Sequence, residues 1–112
     1  MKYFLQAAAF LTLMAAPATA QSFNSGNALF ESCSKQSQAY CGGYIIGVFD
    51  AAVPVLNTGA DVDGFKFCAP IEVTQGQITD IVVNYLRANP QFRHFNAASL
   101  TLSALSKAYP CR

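Results

Sequence analysis

The chain has 112 residues, of which 53% are apolar and only 12% charged, and its formal net charge at pH 7 is +1. This length fits one domain with a modest core. Because the charge is close to balanced and no basic cluster occurs along the sequence, nucleic acid and anionic membrane surfaces are excluded as favoured partners.

Residues 1–20 have the pattern of an export signal. Lys2 gives a positive start, residues 4–16 are apolar and uncharged, and Ala18-Thr19-Ala20 fits a signal-peptidase site. The apolar run, about thirteen residues, is shorter than the roughly twenty that a membrane span needs. The alternative is a buried N-terminal helix of the mature protein. We predict cleavage after Ala20, giving a periplasmic protein of residues 21–112 without membrane insertion.

Two segments after the signal have apolar residues at helical spacing. Residues 27–35, behind Ser25 as a candidate cap, form the first predicted helix, with Leu29, Phe30 and Cys33 on one side. Residues 41–56 form the second. Its predicted inner face consists of Ile45, Val48, Phe49, Ala52, Val55 and Leu56. Pro54 has no amide hydrogen to donate and is expected to kink or end this helix.

A second face of this helix carries small residues at every fourth position, namely Gly43, Gly47 and Ala51. Such a groove allows another helix to approach closely, at a cost of about 1 kcal/mol of helix stability per glycine. A neighbouring helix of the same chain is the favoured occupant. The alternative is a second copy of the chain, which would make the groove the seam of a homodimer.

The clearest loop is Asn57 to Lys66, which contains Gly59 and Gly64. Its Asp61-Val62-Asp63-Gly64 run is similar to part of a calcium loop, but the other ligand positions are missing. We therefore expect a solvated turn here and no metal.

The last two helices complete a predicted all-α fold. Thr74 and Gln77 form a capping-box pattern, and Asn89-Pro90 ends the third helix. Its apolar stripe is Ile78, Ile81, Val82, Tyr85 and Leu86. The inner stripe of the fourth helix is Ala98, Thr101, Leu102, Leu105, Ala108 and Tyr109. We predict a small four-helix bundle.

The four cysteines of an exported small domain predict two disulfides. Because the last two helices are joined by a short turn, they should run antiparallel, which brings Cys68 beside Cys111. We therefore favour the pairs Cys68–Cys111 and Cys33–Cys41. The alternative, a metal site, has no second histidine and no Cys-x-x-Cys pair to support it.

The sequence contains no constellation for catalysis. His94 is the only histidine, and no nearby carboxylate in the sequence would orient it. If every cysteine is paired, no thiolate nucleophile remains. We expect neither an enzyme nor a cofactor.

Short motifs extend over nearly all of the predicted mature chain. They are Ser25-Gly26-Asn27, Leu29, Cys33, the run from Cys41 to Ala51, Cys68-Ala69-Pro70, Val73-Thr74, Gly76-Gln77, the helix from Ile78 to Leu86, Asn89-Pro90, Arg93-His94, Ala97-Ala98, Ala104-Leu105 and Pro110-Cys111. In this order they resemble the Rap/Tai family of type VI secretion immunity proteins. The resemblance implies a helical, disulfide-bearing periplasmic protein that binds and blocks a peptidoglycan-cleaving amidase, often as a dimer.

Two loops offer a surface for such a partner, Asn57 to Lys66 and Asn89 to Asn96. We favour the second, because Arg93, His94 and Phe95 combine an arginine with an aromatic ring, which are common interface anchors. The alternative is that Arg93 and His94 only cap the fourth helix.

Two other functions remain open from the sequence. One is an acid-stress chaperone of the periplasm resembling HdeA, and the other is a general interaction protein of the cell envelope. Six carboxylates and one histidine provide little titratable charge for an acid-driven switch.

Overall fold

The computed structural model describes residues 21–36 and 38–112. The predicted signal peptide, residues 1–20, lies outside the described residues, so its cleavage stays a prediction. The elements are α1 (Gly26–Cys33), α2 (Ala39–Leu56), α3 (Gln75–Ala88), a 3-10 helix (Pro90–Phe92) and α4 (Ala97–Ala108). Each α-helix packs against the other three. The predicted all-α four-helix bundle is confirmed.

The core lies where the four helices meet. Its largest fully buried side chains are Leu29, Ile45, Ile78, Leu86, Leu105, Val82, Thr101 and Cys41. Thr101 is the one polar member among the described residues, and its hydroxyl donates to the carbonyl of Ala97 at 2.8 Å. This bond lets a polar side chain be buried without leaving its hydrogen-bonding group unpaired.

Local side-chain caps fix the starts of α1 and α3. Ser25 accepts a hydrogen bond from the amide of Ala28 at 3.1 Å at the start of α1. At the start of α3, the Thr74 hydroxyl accepts from the amide of Gln77 at 3.2 Å, and the Gln77 side chain accepts from the amide of Thr74 at 2.9 Å. The predicted capping box is confirmed.

Some predicted boundaries and faces are wrong by a few residues. α1 ends at Cys33 rather than Lys35, and the Ser34 hydroxyl donates to the carbonyl of Phe30 at 2.9 Å just beyond that end. α2 starts at Ala39 rather than Cys41, because the ladder already begins with the Gln38 carbonyl accepting from the amide of Gly42 at 3.0 Å.

Two side chains predicted to face inward point to solvent. Val55 is 41% exposed, and Ala108 at the end of α4 is also exposed. Both lie in the last turn of a helix, where the stripe runs past the neighbouring helices. α2 continues for two residues beyond Pro54 and ends at Leu56.

Both predicted disulfides are present, and every cysteine is paired. Cys33–Cys41 joins the end of α1 to the first turn of α2, with the two Cα atoms 4.9 Å apart. Cys68–Cys111 joins the segment before α3 to the chain after α4, with Cα atoms 5.0 Å apart. Beside it, the Cys68 amide donates to the carbonyl of Tyr109 at 2.8 Å. The turn between α3 and α4 therefore lies at the opposite end of that hairpin.

Candidate functional site

The turn between α3 and α4 is held by a continuous series of hydrogen bonds. The Asn89 side chain donates to the carbonyl of Tyr85 at 2.9 Å, and Pro90 starts the 3-10 helix. The amide of Phe95 then donates to the carbonyl of Phe92 at 2.9 Å. The Asn96 side chain accepts from the amides of Ala98 and Ser99, in the first turn of α4, at 2.8 and 3.2 Å. The turn is therefore ordered before any partner binds.

The N-terminal segment of the described chain braces the same turn. The amides of Gly26 and Asn27, at the start of α1, donate to the carbonyls of Phe95 and Arg93 at 2.8 and 2.7 Å. The amide of Ala97 donates to the carbonyl of Asn24 at 2.9 Å. The first amides of a helix have no partner within the helix, and here the amides of Gly26 and Asn27 bind backbone carbonyls of the turn instead.

The side chain of Arg93 packs within the bundle. Its guanidinium carbon lies 4.2 Å from the centre of the Phe30 ring on α1, a cation–π geometry, and the residue is half-buried. Its buried Nε has no hydrogen-bond partner among the described residues. In the free protein, Arg93 thus links the turn to α1.

The ring side chains of the turn are open to solvent. Phe95 is 52% exposed and Phe92 36% exposed, and their ring centres lie 6.3 Å apart. The exposed ring of His94 lies against Phe95, with the centres 4.2 Å apart. We call Phe92, His94 and Phe95 the aromatic tip. The sequence singled out His94 and Phe95 but not Phe92, which comes just before Arg93.

The second loop that the sequence offered lies beside this turn. Residues 62–65 form a tight hairpin, in which Val62 and Phe65 exchange backbone hydrogen bonds of 3.0 and 2.8 Å. Asp63 and Gly64 at its apex have φ of 52° and 78°, as a two-residue type I′ turn requires. The Ser99 hydroxyl, in the first turn of α4, donates to the Asp63 carboxylate at 2.5 Å. The two loops therefore form one continuous surface.

The sequence offered these loops as alternatives, indicated Asp63 only as part of a solvated turn, and did not single out Phe65 or Phe92. The pattern Val62-Asp63-Gly64-Phe65 carried a usable signal, because Asp-Gly between apolar residues is typical of a two-residue hairpin. The contact of Asp63 with Ser99, 36 residues later, had no such local signal.

The small-residue groove of α2 is open. Gly43, Gly47 and Ala51 are all exposed, and a Cβ added at either glycine would meet nothing within 4 Å among the described residues. The prediction that a neighbouring helix of the same chain fills the groove is therefore wrong for the part of the chain that is described. The exposed side chains of Tyr40 and Val55 lie on the same helix.

α2 is also long and apolar enough to cross a membrane, judged by length and composition alone. Core helices and signal sequences pass the same test. Burial, and to a lesser degree the charge of Tyr40, raise the pKa of Tyr44 on this helix. The Cys33–Cys41 disulfide and the contacts with α1, α3 and α4 tie α2 into the bundle.

A family model described as Rap1a immunity proteins matches residues 25–111. The comparisons with curated proteins and with solved structures gave no match. The matched span contains all four helices, both disulfides, the aromatic tip and the 62–65 hairpin.

Proposed function

The chain belongs to the Rap1a immunity protein family, and on this basis we propose that it neutralises a peptidoglycan amidase delivered by type VI secretion. Family membership makes it an immunity protein whose partner is an effector toxin. The amidase as target and the periplasm as compartment are our proposals. Two disulfides and the export pattern of residues 1–20 support an oxidising compartment outside the cytoplasm.

The proposed mechanism is occlusion and needs no catalytic step. A peptidoglycan amidase must admit a polymer to an open groove, so a rigid projection seated in that groove would exclude the substrate. Affinity benefits when the projection is ordered beforehand, because little conformational entropy is then lost on binding. The bracing of the α3–α4 turn by α1 and by the Asn96 cap supports this proposal.

We propose the aromatic tip as the contact surface, with His94 and Phe95 touching the effector. Large aromatic side chains are over-represented among the residues that dominate binding energy. Arg93 was predicted to be an anchor as well, but it lies over Phe30 in the free protein. We propose that it supports the turn. The observation that carries the proposal is an exposed aromatic cluster on a braced turn in an immunity-family chain.

The test is to measure binding of a candidate effector amidase, captured with this protein as bait, and the amidase activity that remains. Replacing Phe95 with Ala should raise the Kd by about thirtyfold, since truncating an interface hot spot costs about 2 kcal/mol. His94→Ala should have a smaller effect in the same direction. Inhibition of the amidase should weaken in parallel with binding.

The matched control is Ile71→Ala, which removes an apolar side chain that is 97% exposed and lies outside the turn. We expect this variant to bind like the parent protein. Undiminished binding of both Phe95→Ala and His94→Ala would exclude the aromatic tip. If the effector binds but keeps its full amidase activity, occlusion is excluded.

We also propose that the open groove of α2 is the seam of a homodimer. Gly43, Gly47 and Ala51 leave room for close approach of a second helix, and α2 is apolar around most of its circumference. A dimer formed through this groove would cover the exposed small-residue face of α2.

A further inference from the structure

A cavity of about 390 Å³ opens between the 62–65 hairpin and the α3–α4 turn. Four of the nine lining residues are aromatic, namely Phe65, Tyr85, Phe92 and Phe95. Asp63, Ser99 and Ser103 are among its polar lining residues. A mostly apolar cavity with a few convergent polar groups is the usual form of a specific binding pocket.

The carboxylate of Asp63 is held in place and lacks a cationic partner. One of its oxygens accepts from the Ser99 hydroxyl at 2.5 Å, and the type I′ turn fixes its backbone. The neighbouring carboxylate of Asp61 is paired with Lys66 at 3.3 Å, but no ion pair to Asp63 exists among the described residues. The cavity therefore presents a negative charge that its own walls do not neutralise.

The phenyl rings of the cavity add a second preference for a cation. Aromatic faces attract ammonium and guanidinium groups, and this chain already uses the contact twice, with Arg93 over Phe30 and Lys107 over Tyr85. Because Lys107 lies 5.1 Å from the centre of the Tyr85 ring, that ring is already engaged. Among the described residues, Phe65, Phe92 and Phe95 are the lining rings with no cation over them, although His94 lies against Phe95.

We propose that this cavity is a receptor for one arginine side chain of the effector. A guanidinium is planar, stacks on aromatic rings and pairs with a carboxylate through two parallel N–H donors. Its alkyl stem suits the apolar wall. An apolar side chain would leave Asp63 without a cationic partner, and a lysine would lack the flat, stackable cation.

The source of the side chain rests on the proposed function, whereas the preference of the cavity for guanidinium does not. The cavity adjoins the aromatic tip and shares Phe92 and Phe95 with it. An effector that contacts the tip therefore passes over the mouth of the cavity. We expect the part of the effector that faces the cavity to be convex, with an arginine at its centre.

The first experiment titrates the mature protein with capped single residues and follows backbone amide resonances by NMR. N-acetyl-arginine-N-methylamide should shift the resonances of Phe65, Phe95 and Ser99 with a Kd in the millimolar range. The citrulline analogue has nearly the same shape but no charge, and should bind at least about fivefold more weakly. Equal or tighter binding of the citrulline, lysine or leucine analogue would overturn the assignment, as would the absence of shifts.

The decisive variant is Asp63→Asn, and Asp61→Asn is its matched control. Asparagine tolerates positive φ and can still accept from Ser99, so the hairpin should persist. Both variants remove one negative charge from the same loop, but only Asp63 lines the cavity. Asp63→Asn should weaken binding of the arginine probe by about fivefold or more, and Asp61→Asn should leave it unchanged. Equal effects of the two variants would mean a general charge effect and would overturn the site.

A second arm uses the effector and separates this inference from the proposed function. If the effector binds, Asp63→Asn should weaken it by about tenfold while Asp61→Asn does not. Equal effector binding by parent and Asp63→Asn would refute the seating of a partner arginine in the cavity. If no effector amidase binds the parent protein but the probe binds through Asp63, the proposed function fails and the guanidinium site stands.

Discussion

Gly26 shows how a single residue couples α1 to the α3–α4 turn. A Cβ at this position would collide with Leu100 on α4 and would lie 2.9 Å from the carbonyl oxygen of Arg93. The absence of a side chain lets the amides of Gly26 and Asn27 reach the carbonyls of the turn. The close approach, and not a special φ, is the reason for glycine here.

We predict that Gly26→Ala destabilises the protein by about 2 kcal/mol, since overpacking against a backbone cannot be relieved by a side-chain rotation. Urea denaturation followed by circular dichroism would measure the loss. Gly76→Ala is the control, because it also lies in the first turn of a helix and its Cβ would meet only the Thr74 hydroxyl oxygen, at 3.9 Å. A loss at Gly26 no larger than at Gly76 would contradict the coupling.

Among the helices, the prediction from the sequence is most accurate where several local signals agree. The α3 helix has a capping box at its start, a regular apolar stripe and a proline after its end, and it was predicted closely. α2 is different: it is apolar on most sides, so periodicity could not distinguish the face toward the bundle from the open one. For this reason the predicted inner face of α2 included Val55, which is exposed.

The two disulfides constrain different lengths of chain. Cys68–Cys111 closes a separation of 43 residues and contains the whole α3–α4 hairpin, whereas Cys33–Cys41 closes only 8. Loop entropy gives about 4 kcal/mol for the longer bridge and about 2.5 kcal/mol for the shorter. The longer bridge should therefore contribute more to stability.

We expect the double replacement Cys68→Ser with Cys111→Ser to lower the free energy of unfolding more than Cys33→Ser with Cys41→Ser does. Removing both cysteines of a pair avoids a free thiol in either variant. Hydrogen exchange should also show lost protection of the Cys68 amide, which donates to Tyr109 next to the bridge. The reverse order of the two losses would show that the hairpin is held mainly by side-chain packing.

For the molecule as a whole, the sequence predicted the four-helix bundle and its two disulfides but not the geometry of the candidate site. Helices and caps follow from residues within a few positions of one another, and an antiparallel hairpin was enough to pair Cys68 with Cys111. The site joins three separate segments through contacts such as Asp63 with Ser99 and Gly26 with Phe95. Such contacts join residues far apart in the chain and depend on how the helices pack, so no local pattern predicts them.

The open groove of α2 can be tested by Gly47→Ala, because the two oligomeric states predict different results. In a monomer, the added methyl group meets nothing within 4 Å and replaces a poor helix former, so stability should rise by about 0.5–1 kcal/mol. In a homodimer seam, the same methyl group would hold the two helices apart. Association should then weaken although each isolated copy is more stable.

Sedimentation velocity over a range of concentrations, together with urea denaturation, would measure both quantities. We expect the parent protein to dimerise and Gly47→Ala to shift it toward monomer, with Gly43→Ala acting in the same direction. Gly42→Ala is the control, since its Cβ would lie 4.0 Å from the Thr79 hydroxyl, on the side of α2 that faces α3. A parent protein that stays monomeric, and is simply stabilised by Gly47→Ala, would show that α2 faces solvent and that its glycines serve no self-association.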